Sequence, residues 1–172
     1  MMFTYCPSCG QKGTVQKLDD TNYECANCKW HYWNNAKPAT AMVFIKDGLV
    51  MFGKRAIDPA KGKYDLPGGF VDFGEGGYEG AIREAREELG VHINKKDLEL
   101  LDIYTYNYNP TVTTVDLVFL VHKWDGELTP KEEVTAIEWK PASFLENPSF
   151  MQAGFYPGLG ALLASKIPGL KQ

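Results

Sequence analysis

Beyond Cys28 the chain has no cysteine, and it holds only three histidines, His31, His92 and His122. No two of those histidines stand at metal-ligand spacing, so none is assigned chemistry. No apolar run approaches the ~20 residues of a membrane-spanning helix, and the N-terminus lacks the basic and apolar regions of a secretion signal. The C-terminal run Leu159 to Ile167 is short and carries a glycine, which predicts a packed terminal helix rather than an anchor. A cytoplasmic protein is the expectation. Excess positive charge is also missing: the formal net charge of −4 argues against bulk affinity for nucleic acid, a local patch aside. With 44% hydrophobic and 23% charged residues, the composition is that of a globular chain and excludes a disordered one.

What is present is concentrated. All four cysteines fall in the first 28 residues, as Cys6-x2-Cys9, a fifteen-residue gap, and Cys25-x2-Cys28. Two such pairs each make a tight knuckle and together offer four thiolates in a tetrahedron, the pattern of a closed structural zinc site. Pro7, Gly10 and Gly13 suit the turns, and His31 is a bystander beside four cysteines. Disulfides are the competing reading, disfavoured in a chain without a secretion signal. About 30 residues cannot build a core alone, so Zn2+ would supply the folding energy of a small zinc ribbon over residues 1–35. Trp30 to Pro38 reads as the boundary with a main domain over residues 36–172.

The main domain carries its densest chemistry between Gly69 and Val91. Ala81, Ala85 and Leu89 recur at i, i+4 and i+8, one stripe of a helix. Glu84, Glu87 and Glu88 stand at i, i+3 and i+4, which crowds their carboxylates on a neighbouring face at a cost of a few tenths of a kcal/mol per pair. Hard divalent cations such as Mg2+ select carboxylate oxygens of this kind and bring substrate phosphate with them. A solvated helix face is the bland alternative, and Arg83 with Glu87 is an ordinary i, i+4 pair. That alternative leaves Gly68, Gly69, Gly74, Gly76, Gly77 and Gly80 unexplained, because glycine there points to positive φ or close backbone approach.

The stretch resembles the Nudix box, G-x5-E-x7-R-E-U-x-E-E-x-G-U, where U is a bulky apolar residue. Gly69, Glu75, Arg83, Glu84, Glu87, Glu88 and Gly90 fill the fixed places, Val91 the last apolar one, and Leu66-Pro67-Gly68-Gly69 leads in. Ala85 is small where the pattern prefers bulk. The resemblance implies an α/β fold, an α/β/α sandwich with a mixed sheet, here preceded by the zinc ribbon. The sequence agrees with that expectation: Ala39–Lys46 and Leu49–Arg55 flank Asp47-Gly48 as a hairpin. Leu98–Tyr106, Thr113–Lys123 and Ala136–Lys140 read as further strands. A short helix is expected over Ala142–Glu146, and a last one from about Gly158 to Lys166.

As the resemblance implies, the protein is a hydrolase that breaks a phosphoanhydride bond in a nucleoside diphosphate linked to another moiety, with Mg2+ or Mn2+. Carried over by position, Glu84, Glu87, Glu88 and the Gly68 carbonyl would hold the ions. Arg83 would orient a box carboxylate, and Glu75 would support the cluster or join a second metal. A general base is sought either at Glu84 or at a carboxylate outside the box, where Glu133 is the choice and Glu132 the reserve. Dimers are common in the family, so a homodimer stays open, while a small nucleotide is the expected partner and a membrane is not.

A zinc ribbon ahead of such a domain resembles the NADH pyrophosphatases. Those enzymes carry Ser-Gln-Pro-Trp-Pro-Phe-Pro after the box, where this chain reads Tyr104-Thr-Tyr-Asn-Tyr-Asn-Pro110, so the NADH assignment does not carry over. Tyr104, Tyr106 and Tyr108 share one face of a strand and either stack a base or form a structural aromatic row. Two other readings compete with the hydrolase. One is a nucleotide-sensing module whose ribbon contacts nucleic acid or a protein, although Lys12, Lys17 and Lys29 against Asp19, Asp20 and Glu24 leave the ribbon without a basic face. The other is hydrolysis of capped RNA ends, which needs a basic groove that the composition does not announce.

Overall fold

The computed structural model describes residues 2–151 and 156–171, which fall into two units, Met1–Ala36 and Lys37–Gln172. In the first, β1 (Val15–Lys17), β2 (Asn22–Cys25) and β3 (His31–Trp33) form an antiparallel sheet in that order. The stretch from Trp30 to Pro38 contains both this third strand, His31–Trp33, and the division between the units. Its rings pack inside the unit: Phe3 lies edge-on to Trp30 at 5.3 Å and to Tyr32 at 5.2 Å, and His31 stacks on Trp33 at 4.1 Å. This small aromatic cluster, with buried Cys6, Val15 and Cys25, is all the core that so short a segment builds.

The second unit is organised by β4 (Lys37–Lys46), β5 (Leu49–Arg55), β6 (Tyr64–Asp65), β7 (Leu98–Asn109), β8 (Val112–Val121) and β9 (Val134–Lys140). They make one mixed sheet in the order β6-β5-β4-β8-β7, with β9 on β5. The Asp47-Gly48 turn takes φ of 53° and 75°, the left-handed pair that a two-residue hairpin demands. Strands β4 and β5 pair only at Ile45–Lys46 with Val50–Leu49, then part. Farther along, β5 gives the same edge to β6. The freed edge of β4 is taken by the segment after β6: Met42 N–H donates to Pro67 O and Thr40 N–H to Gly69 O, both at 2.8 Å. The other edge of β4 pairs in parallel with β8 over Lys37 to Phe44.

Two apolar layers cover the sheet, because strand residues alternate faces. Met42, Phe44, Met51 and Phe119 meet Ala81, Ala85 and Leu89 of helix α1 (Gly77–Leu89). On the opposite face Ala41, Val43, Phe52, Val118 and Leu120 meet Leu159 and Leu163 of helix α2 (Leu159–Lys166), with the 3-10 turn Ala142–Glu146 beside it. The α/β/α arrangement with a mixed sheet is therefore present. Helix α1 starts four residues before the apolar stripe and ends at Gly90, whose φ of 70° lets its own N–H donate to Arg86 O and the Val91 N–H to Ala85 O.

Candidate active site and metal centres

The stripe that buries Ala81, Ala85 and Leu89 turns Arg83, Glu84, Glu87 and Glu88 toward the Pro67–Val71 segment lying on β4. That segment must come very close. A Cβ on Gly68, whose φ is 142°, would sit 2.1 Å from Thr40 O, and one on Gly69 would sit 2.4 Å from Glu84 Oε1. Glycine is required at Gly68, while a side chain at Gly69 would displace the Glu84 carboxylate; the Gly68 N–H donates to Glu88 Oε2 at 2.8 Å.

Arg83 is the hub of the acidic face. Its Nη1 donates to Glu84 at 2.7 Å and to Glu87 at 3.0 Å, its Nε and Nη2 grip both oxygens of Glu75 at 3.1 and 3.0 Å, and Nη2 also reaches Phe70 O at 2.9 Å. The guanidinium fork thus holds Glu75 well ionised, below the ordinary carboxylate range. Glu88 is the opposite case. Burial pushes it up to about 8, and the Glu84, Asp65 and Glu133 carboxylates add to the push. Burial raises Glu84 as well, against the pull of Arg83.

These groups line a cavity of about 420 Å3. Gly68, Arg83, Glu84, Glu87, Glu88, Glu132 and Glu133 all border it, so the cavity gathers most of the residues singled out from sequence. Glu133 is exposed, on the loop before β9, and Glu75 stands behind Arg83. Tyr106 and Tyr108 line the same cavity, while Tyr104 belongs to the core and packs edge-on against Tyr156 at 5.2 Å. Tyr106 belongs to that core as well, edge-on to Tyr156 at 6.1 Å.

Several bordering residues had no sequence reading, among them Arg55, Asp65, Asp116 and Tyr156. Arg55 bonds Asp65 at 3.1 Å, and burial raises Asp65 to about 7 in spite of that cation. The Tyr156 hydroxyl donates to Asp116 Oδ2 at 2.7 Å. Asp116 had a sequence signal, being a lone carboxylate inside the apolar run of β8, where an unpaired charge is costly. Asp65 had none, since its burial depends on β5 and β6 closing over it.

Among the described residues the four cysteines alone present ligand atoms that all lie within 4.8 Å of one another. Cys6 Sγ is 3.7 Å from Cys28 Sγ, and Cys9 Sγ is 3.8 Å from Cys25 Sγ. Those separations are too long for a disulfide and match the edge of about 3.8 Å for a tetrahedron with ~2.3 Å metal–sulfur bonds. The Thr14 hydroxyl beside Cys25, with backbone N–H groups, lowers that thiol to about 6, which favours the thiolate a metal needs. The donor set fits zinc. The box carboxylates are not drawn to one point in this way, since Arg83 and the Gly68 N–H hold them. Their oxygens and their mutual repulsion nevertheless fit a hard divalent cation, which would neutralise the charge that now raises Glu84 and Glu88.

An α/β/α sandwich that opposes a glutamate-rich helix to a glycine-rich strand edge defines a class of phosphate-handling domain. The sequence model of the NUDIX domain matches residues 36–156, and the chain belongs to that family. An ADP-ribose pyrophosphatase of Methanocaldococcus jannaschii is 33% identical over 105 residues, which are 59% of this chain and 61% of that protein. The NAD-capped RNA hydrolase NudC of Haemophilus influenzae is 30% identical over 139 residues, or 78% of this chain and 50% of that one. The chain therefore spans only about half to three-fifths of these relatives. Among solved structures, a MutT NUDIX hydrolase from Burkholderia pseudomallei superposes with a TM-score of 0.58 at 27% identity, covering 63% of this chain and 85% of that chain.

Proposed function

We propose that the protein is a divalent-metal-dependent pyrophosphohydrolase whose substrate is a nucleoside diphosphate linked to a second moiety, with ADP-ribose as the leading compound. The observation that carries this reading is the cavity's two-sided lining. One wall is acidic, and the other presents Tyr106, Tyr108 and the Asp116 carboxylate. An acidic wall suits a pyrophosphate only through bridging cations, and aromatic faces suit the organic half. The identity to an ADP-ribose pyrophosphatase supports the choice of leading compound.

Glu84, Glu87, Glu88 and the Gly68 carbonyl would hold Mg2+ or Mn2+, which supplies charge neutralisation at the anhydride and a more acidic water. Arg83 fixes Glu84 and Glu87 in position while Glu75 fixes Arg83. Glu84, half-buried with its proton affinity raised, and Glu133, exposed on the rim, are the two candidates to take a proton from the attacking water. Zn2+ in the four-cysteine site would be structural.

The test is turnover of ADP-ribose, NADH, NAD-capped RNA, dinucleoside polyphosphates and nucleoside triphosphates, each with Mg2+ and with chelator, read by mass spectrometry. The expected result is Mg2+-dependent conversion of ADP-ribose and water to AMP and ribose 5-phosphate. Preference for NAD-capped RNA would move the assignment toward the activity named for the H. influenzae relative. Silence throughout, with the protein folded and metal-loaded, would favour the nucleotide-sensing module instead.

A further inference from the structure

Across the α2 face of the sheet, register places Ala39, Asp116 and Tyr104 in one row and Thr114 beside Tyr106 in the next. Asp116 is 2% exposed and Thr114 1%, and both border the cavity. A carboxylate so buried needs every oxygen partnered, since an unmet polar atom costs about 1–3 kcal/mol. Tyr156 serves Oδ2. Neither Asp116 Oδ1 nor Thr114 Oγ1 has a hydrogen-bond partner among the described residues. The Thr114 and Tyr106 hydroxyls also approach this carboxylate and ease its ionisation against the cost of burial. Yet only the Tyr156 bond is completed in full geometry, and Oδ1 keeps an unmet acceptor. Ala39 on the neighbouring strand is too small to fill the space above the row.

We propose that Asp116 Oδ1, with Thr114 Oγ1, is a recognition subsite for the non-phosphate half of the substrate, and that it accepts a hydrogen bond from an N–H or O–H of that half. The inference rests on the hydrolase reading and deepens it. Two donor sources share this chemistry, the exocyclic amine of a base and a ribose hydroxyl. A site built around a buried acceptor rejects the analogue that lacks the matching donor, because the acceptor is then stranded. The subsite selects substrate and takes no part in bond breaking.

The test is calorimetric binding of AMP, IMP, 2′-deoxy-AMP and 3′-deoxy-AMP to the full chain with Mg2+, alongside Asp116→Asn and Thr114→Val. In the wild type one analogue, IMP if the amine is read or a deoxy compound if a hydroxyl is, should bind more weakly than AMP by on the order of tenfold. Asp116→Asn should weaken AMP by a similar factor yet leave that analogue within about twofold of its wild-type affinity, the coupling expected of two groups in contact. Thr114→Val should give a smaller loss with the same ligand selectivity. Equal affinity for all four ligands in the wild type overturns the subsite without any variant, so misfolding of Asp116→Asn does not spare it. If ADP-ribose is turned over while binding ignores these groups, the subsite alone fails. Absence of both AMP binding and turnover would instead sink the hydrolase reading.

Discussion

A carboxylate as buried as Glu88 ionises only against the penalty of leaving water, and its neighbours Glu84, Asp65 and Glu133 raise that penalty. The residue is retained, on our reading, for a cation and not for the fold. Glu88→Gln keeps an acceptor for the Gly68 N–H and removes the charge. It should cut turnover by at least about 100-fold, since loss of a direct ligand exceeds the 10–100-fold typical of its supporting groups. At pH 8 the same variant should melt higher in the metal-free state, by at least the ~1.4 kcal/mol worth of one pKa unit; near-normal activity would remove Glu88 from the metal site. Arg83→Lys forfeits the fork that spans Glu75, Glu84 and Glu87, and should lower both Mn2+ affinity and turnover by about 10–100-fold. Sequence exposed these residues because their spacing is local. It left Asp65 unread because only strand pairing buries it, whereas Asp116 carried a signal as the lone carboxylate of an apolar strand run.

Helix α1 and the β4–β5 hairpin were legible as elements, since a helical stripe and an Asp-Gly turn are short-range signals. The parting of β5 from β4, which gives the glycine segment its place, was not. It depends on β6 taking the edge of β5 that β4 leaves. The three strands of the ribbon also escaped, being three or four residues each. Packing explains the small residue at Ala85: it is fully buried in the layer formed by Met42, Phe44, Met51 and Phe119. Large neighbours leave no room for the bulk that the box pattern prefers. Ala85→Leu should destabilise the second unit by about 1–3 kcal/mol through overpacking, measured by urea titration. At the strand edge, Gly68→Ala meets backbone 2.1 Å away and should prevent folding or displace the segment. Gly62→Ala, with φ of 84° and open space around it, should cost only about 1–2 kcal/mol.

For the molecule as a whole, two kinds of stability are expected in one chain. Chelating the N-terminal metal should unfold residues 2–36 and leave the second unit's melting transition in place, read by amide NMR; four free thiols in the native, metal-replete protein would count against the zinc site. The second unit should respond to pH in a defined sense. Glu88 near 8 and Asp65 near 7 hold protons that the unfolded chain, with ordinary carboxylates, releases near pH 4. Between those limits the native state binds more protons, so metal-free stability should fall as pH rises from about 4 to 8. Glu75, held ionised by Arg83, acts oppositely and withdraws its contribution as pH drops through the acid range. Mg2+ should flatten the fall above pH 5, and a profile indifferent to the ion would separate these carboxylates from metal binding. No helix among the described residues is long and apolar enough to cross a membrane. By itself the sequence determined the acidic helix, the glycine-rich lead-in and the paired cysteines, because each is written within some twenty-five residues of chain. Only the tertiary structure decided that Asp65, Asp116, Tyr106 and Glu133 share a cavity with that helix. Burial and proton affinity are set by what long-range strand pairing brings alongside, and no local pattern encodes that.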